Sequence, residues 1–94
     1  MADLLRRNKK QLDKYSFIEY RIYSVPESED FPDGVKYSMN FVIKEECVLR
    51  YDNERGKGHH RHLGEVESKI QFKSINILIK NFFGEVGKIR RGLK

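Results

Sequence analysis

Three segments between Tyr15 and Asn53 alternate apolar and polar side chains, and this alternation constrains the fold more than any other feature. On an extended strand, side chains two residues apart project from the same face, so the pattern is typical of strands with one buried face. It predicts three strands, over residues 15–25, 35–44 and 47–53. The polar connections between them favour an antiparallel meander.

Two further elements complete the predicted fold. From residue 74 to 93 apolar side chains recur at helical spacing, at Ile75, Leu78, Ile79, Phe82, Val86, Ile89 and Leu93. Ser74 is a typical helix N-cap, and residues 69–73 predict a short fourth strand. Asp3 and the apolar and basic residues after it predict a short N-terminal helix. The expected fold class is α+β, an antiparallel three- or four-stranded sheet packed on a C-terminal amphipathic helix, with the short N-terminal helix.

The length of 94 residues suits one hydrophobic core, so a single domain is expected over residues 1–94. Its expected parts are an N-terminal helix or arm over 1–14, a sheet with a histidine segment over 15–73, and the helix over 74–93. Cys47 is the only cysteine, which excludes an internal disulfide and a zinc site built from cysteines. We expect a cytoplasmic protein without membrane contact, because apolar runs are short and the N-terminus lacks a signal-peptide core.

Charge points to the class of partner. Lys and Arg together number 19 against 14 Asp and Glu, which gives a net charge of +5. A small basic domain favours a polyanionic partner, either a nucleic acid or an acidic protein. Plain solubility is the alternative explanation of such a charge. The sequence leaves open whether several copies of the chain assemble.

All three histidines, His59, His60 and His62, lie within four residues. On an extended strand the side chains of His60 and His62 would stand about 6.6–6.8 Å apart on one face. Two imidazoles at that separation can flank one phosphate, where one takes a proton and the other gives one. Cleavage of an RNA backbone needs these two transfers, and the ordinary pKa of histidine, about 6.5, suits both.

The residues around the histidines extend this hypothesis to an RNA site. Lys57 is the candidate third catalytic group, because its charge can stabilise a pentacoordinate phosphate. Phosphate binding is assigned to Arg55 and Arg61, base stacking to Tyr51, and orientation of a histidine to Asp52 and Asn53. On an ideal strand Arg61 would face away from the two histidines. This chemistry needs no cofactor.

Two other functions remain open at this stage. A metal-dependent hydrolase could bind zinc through His60, His62 and Asp52, with His59 or Glu54 as other candidate ligands. A non-catalytic module could hold nucleic acid or an acidic protein through its charge alone, with the histidines incidental. Binding that survives loss of the histidines would favour the second function.

The stretch from Tyr51 to His62, YDNERGKGHHRH, resembles the TumE family of small prokaryotic toxins. The family pattern runs YDNERGKG, then Asp, then HRH, so His59 stands at the Asp position while His60 and His62 match. The resemblance continues over roughly residues 15–91, at Phe72, Ser74, Phe82 and Val86. It implies a toxin encoded beside a DNA-binding antitoxin, with a ribonuclease-like activity. The implied partners are therefore RNA and the cognate antitoxin.

Overall fold

The computed structural model describes residues 2–53 and 58–92, which form an antiparallel sheet followed by one helix. Six strands lie in chain order across the sheet, each paired with the next. They are β1 Asp3–Asp13, β2 Ser16–Ser24, β3 Val35–Ile43, β4 Glu46–Asp52, β5 His60–Leu63 and β6 Val66–Lys69, and the helix is α1 Ile75–Gly92. The α+β class and the C-terminal helix are therefore confirmed.

The hydrophobic core lies between α1 and one face of strands β2 to β4. The buried sheet residues mostly recur at every second position, as the alternation predicts, and those of α1 recur at every fourth. They are Ile18, Ile22, Val35, Tyr37, Met39, Phe41, Leu49 and Tyr51 from the sheet and Leu78, Phe82 and Val86 from the helix. The other sheet face carries none of these core residues, and we call it the open face.

The predicted N-terminal helix is wrong. Residues 3–13 form β1, which pairs with β2 along its whole length. All of its residues except Leu12 are exposed, so no buried face imposes a period of two on its sequence. The backbone groups of β1 gain hydrogen-bond partners on β2, and this tertiary pairing overrides the weak local preference for a helix.

The sheet also has more strands than the three or four predicted, because the histidine segment is itself a strand. β5 and β6 form a hairpin around Gly64, whose φ of 59° lies in the left-handed region that glycine adopts without strain. The strand predicted over residues 69–73 is displaced toward the N-terminus and ends at Lys69. Every β6 residue is exposed, so its sequence carries no alternation.

The helix begins as its sequence predicts. The Ser74 hydroxyl accepts a hydrogen bond from the Ile77 amide at 3.2 Å, which satisfies one of the free amides of the first turn. Arg90 and Arg91 occupy the last turn, where positive charge suits the negative end of the helix dipole.

Gly84 offers a stabilising substitution within α1. A Cβ at this position would meet no other heavy atom within 4 Å, so alanine adds helix propensity without a clash. We expect Gly84→Ala to raise the free energy of unfolding by about 1 kcal/mol, measured by urea denaturation. Gly87→Ala is the control. Its Cβ would lie 3.2 Å from Arg91 Nη1, so this variant should gain less stability. A loss of stability in Gly84→Ala would contradict the prediction.

Candidate functional site

Strand β5 places His60 and His62 side by side on the open face. The centroids of the two rings lie 6.4 Å apart, and the ring planes are inclined at 38°. Arg61, between them, pairs with the core residue Tyr51 and projects toward α1. The arrangement on one face follows from the extended backbone of β5.

The strand register surrounds the two histidines with polar side chains, because residues paired directly across an antiparallel sheet project from the same face. Two rows cross the open face from β6 to β1. The row through His60 contains Lys69, His60, Asp52, Ser38, Arg21 and Arg7. The row through His62 contains Glu67, His62, Arg50, Asn40, Glu19 and Lys9. The two rows together contain five cations and three carboxylates, so their net charge is positive.

Glu67 is the carboxylate that contacts a catalytic candidate. Its Oε1 lies 3.1 Å from His60 Nδ1. The His60 side chain is 11% exposed. Asp52, the predicted orienting residue, pairs with His60 across the strands, but its Oδ2 accepts a hydrogen bond from Arg50 Nε at 2.6 Å. Glu67 is not among the predicted site residues, although a tight turn at Gly64 places it opposite His62.

On the helix side, Arg61 and Tyr51 bind a second carboxylate outside the predicted site, that of Glu85. Arg61 Nε donates to both oxygens of Glu85, at 2.7 and 2.9 Å, and the Tyr51 hydroxyl donates to Glu85 Oε1. The Tyr51 residue is only 3% exposed and its ring packs edge-on against Phe82. Tyr51 therefore offers no free ring face for stacking a base, and Arg61 is held on the face opposite the histidines.

These contacts fix the ionisation of the cluster formed by Tyr51, Arg61 and Glu85. Burial alone would raise the pKa of the Glu85 carboxyl, but hydrogen bonds from Arg61 and Tyr51 outweigh burial and lower that pKa. Burial, and then the hydrogen bond to Glu85, raises the pKa of Tyr51 well above its ordinary value. The hydrogen bond to Glu85 raises the pKa of Arg61. At neutral pH the cluster is thus a carboxylate held by a guanidinium and a neutral phenol.

His59 is part of a separate cluster that ties the β2–β3 connection to the core. Its Nε2 lies 2.8 Å from Asp33 Oδ2, and its Nδ1 lies 2.8 Å from the Tyr37 hydroxyl. The imidazole is also stacked between the rings of Tyr37 and Phe72. With its proton on Nε2, it donates to Asp33 and accepts from Tyr37, so both ring nitrogens are satisfied.

Asn53 supports this second cluster rather than His60 or His62. Its Oδ1 accepts a hydrogen bond from the Tyr37 amide at 2.8 Å, and its Nδ2 donates to the Val35 carbonyl at 2.7 Å. Asn53 is 3% exposed, so it fixes the β3 backbone from within the core. Lys57 and Arg55 lie outside the described residues.

The structure also bears on metals and membranes. Within residues 2–53 and 58–92, no three His, Cys, Asp or Glu side chains converge as a metal site would require, and Asp52 of the predicted set binds Arg50 instead. In the same part of the chain, no helix combines the length and apolarity needed to cross a bilayer.

Comparison with known proteins identifies the family. A family model described as Toxin TumE matches residues 3–90, from β1 into the last turns of α1. No curated protein and no solved structure gives a significant match. The matched region includes β1, which lies outside the stretch over which the sequence resemblance was traced. Because the match covers nearly the whole chain, this protein belongs to the TumE toxin family.

Proposed function

We propose that this protein is a metal-independent endoribonuclease toxin in which His60 and His62 carry the two proton transfers that cleave one RNA phosphodiester linkage. The observation that carries the proposal is the pair of imidazoles on one strand and one face, with ring centroids 6.4 Å apart. Hydrogen bonds of about 2.6–3.2 Å can then join one ring to the attacking 2′-hydroxyl and the other to the departing 5′-oxygen, on either side of the same phosphorus.

In the proposed reaction, a neutral imidazole takes the proton of the 2′-hydroxyl, whose oxygen attacks phosphorus. The bond from phosphorus to the 5′-oxygen breaks, and the second imidazole, protonated, gives its proton to that leaving oxygen. The products are a 2′,3′-cyclic phosphate and a free 5′-hydroxyl. Histidine serves both steps because it titrates near working pH.

Cations beside the rings support the negative transition state. Lys69 pairs with His60 across β5 and β6, and Arg50 pairs with His62 across β4 and β5. Both project from the open face, where their charges can stabilise the non-bridging phosphate oxygens. Lys57 and Arg55 keep the phosphate role proposed from the sequence, because the chain brings them within a few residues of His60.

The rows of the open face suggest how the substrate lies. They run perpendicular to the strands, with successive positions about 4.7–4.9 Å apart, and lead from the histidines toward Arg21 and Arg7. A single RNA strand crossing the sheet in this direction would place neighbouring phosphates near these arginines. The proposed substrate is therefore single-stranded RNA bound through its backbone.

Cleavage in the presence of EDTA tests the proposal directly. Untagged protein should cut an RNA oligonucleotide to a 2′,3′-cyclic phosphate, with a bell-shaped pH dependence that reflects one acid and one base. The matched control is the same oligonucleotide with a 2′-deoxyribose at the cut position, which should stay intact because it lacks the nucleophile. Salt-dependent binding without cleavage at any pH would contradict the proposal and favour a binding module, while loss of cleavage in EDTA would favour a metal-dependent hydrolase.

A further inference from the structure

The two edges of the sheet differ in their capacity to accept another strand. β6 has 4 residues, whereas β1 has 11, and among the described residues no strand pairs with the outer edge of β1. Alternate residues of an antiparallel edge strand direct their amide and carbonyl groups away from the sheet. Short edge strands are one means by which proteins avoid unwanted pairing, and β1 does not use it.

The central part of β1 is regular and strongly basic. Register shifts lie between Leu4 and Arg6 and between Gln11 and Asp13, so the segment from Arg6 to Gln11 pairs without interruption. We call this segment the basic edge. It contains four cations, Arg6, Arg7, Lys9 and Lys10.

The cations of the basic edge lie on both faces of the sheet. Arg7 and Lys9 pair with Arg21 and Glu19 on the open face. Arg6 and Lys10 pair with the core residues Ile22 and Ile18, so they project from the helix side, where they remain exposed. A nucleic acid lying on the open face would meet only one of these pairs. An added strand, whose own side chains alternate between the faces, would meet both.

Charge also discriminates between a second copy of this chain and another partner. Two β1 strands paired antiparallel about Asn8 would oppose Arg7 to Lys9 and Arg6 to Lys10. Like charges directly opposite each other destabilise a strand pair, and opposite charges stabilise it. The basic edge therefore disfavours its own copy in this register and favours an acidic strand.

We propose that the basic edge binds an extended acidic segment of the cognate antitoxin, which adds to the sheet as a seventh strand. Family membership implies such a partner, and backbone pairing with an exposed edge is an established mode of peptide recognition. Three strands separate β1 from β5, so this contact lies roughly 19 Å from the histidines across the sheet. The basic edge shares Arg7 with the proposed RNA path but contains neither imidazole, so antitoxin binding there does not require the proton transfers proposed for His60 and His62.

Hydrogen exchange in the toxin–antitoxin complex tests the backbone contact. With the full chain and its co-expressed antitoxin, we expect slower exchange at alternate amides of the basic edge than in the toxin alone. Antitoxin binding with unchanged exchange along β1 would overturn the proposal. So would protection of β1 that appears in the toxin alone as its concentration rises, because a second copy would then occupy the edge.

A charge reversal tests the side-chain contact. The variant Arg6→Glu, Arg7→Glu, Lys9→Glu, Lys10→Glu should bind the antitoxin roughly 10- to 100-fold more weakly, because four cross-strand pairs become repulsive. A matched variant changes the net charge equally by replacing exposed cations elsewhere with Glu, at Lys14, Lys36, Lys73 and Arg91. Equal weakening in both variants would overturn the proposal. Neither experiment measures RNA cleavage. Failure of this proposal can therefore be distinguished from failure of the proposed nuclease activity.

Discussion

Replacing either His60 or His62 with alanine is expected to lower the rate of RNA cleavage by about 10²–10⁴-fold, because each ring carries one of two essential proton transfers. The double variant should lose little more activity than the less active of the two single variants, because the effects of groups that act as a unit are strongly non-additive. Single-turnover cleavage of a labelled oligonucleotide across pH measures both effects. A folded double variant with full activity would contradict the mechanism.

The same variants assign the acid and the base. A substrate whose leaving group departs without protonation, such as a nucleoside 3′-(4-nitrophenyl phosphate), should restore much of the rate in the variant that lacks the acid. The variant that lacks the base should gain no such rescue. His59→Gln is the matched control, because His59 contacts Asp33 and Tyr37 away from the open face. Its stability should fall, while the shape of its pH–rate profile should persist.

Removing the Arg61 side chain should cost about 2–3 kcal/mol of folding free energy, because it leaves Glu85 partly buried without its charged hydrogen-bond donor. The two side chains are 25% and 23% exposed, so water compensates the loss only partly. Urea denaturation of Arg61→Ala measures this cost. In a double-mutant cycle with Glu85→Gln, the double variant should lose less stability than the two single variants lose in sum.

Acidification should reduce the stabilisation that the Arg61–Glu85 pair provides. The pKa of Glu85 is lower in the folded chain than its ordinary value of 4.5, so its stabilisation is present above pH 4.5 and is lost as pH falls through the folded pKa. The stability difference between wild type and Arg61→Ala should therefore shrink on acidification. Arg50→Ala is the matched control from the open face, where we expect a raised KM for RNA and little change in stability. A raised KM in Arg61→Ala would contradict the assignment of Arg61 to the helix side.

The parts of the fold that the sequence predicts are those with one buried face. Tyr37, Met39 and Phe41 alternate with exposed or half-buried residues because every second side chain of β3 packs beneath α1. β1 has no such constraint, because all of its residues except Leu12 are exposed. Its strand conformation depends on pairing with β2, and a local pattern does not carry that information.

The candidate site shows the same division between local and long-range information. The shared face of His60 and His62 follows from their spacing on a strand and was predictable. Glu67 and Glu85 were not recognised, because one depends on the register of a hairpin and the other on the rotation of α1 against the sheet. The predicted base-stacking role of Tyr51 also fails, because its hydroxyl contacts a helix carboxylate.

The separation of β1 from β5 has a consequence for how the toxin can be released in the cell. We expect a copy that lacks both imidazoles but retains its N-terminal strand to be inert toward transcripts and still to capture the antidote. Expressed in excess, such a decoy should deplete the neutralising protein and release endogenous toxin, so that a harmless variant provokes growth arrest.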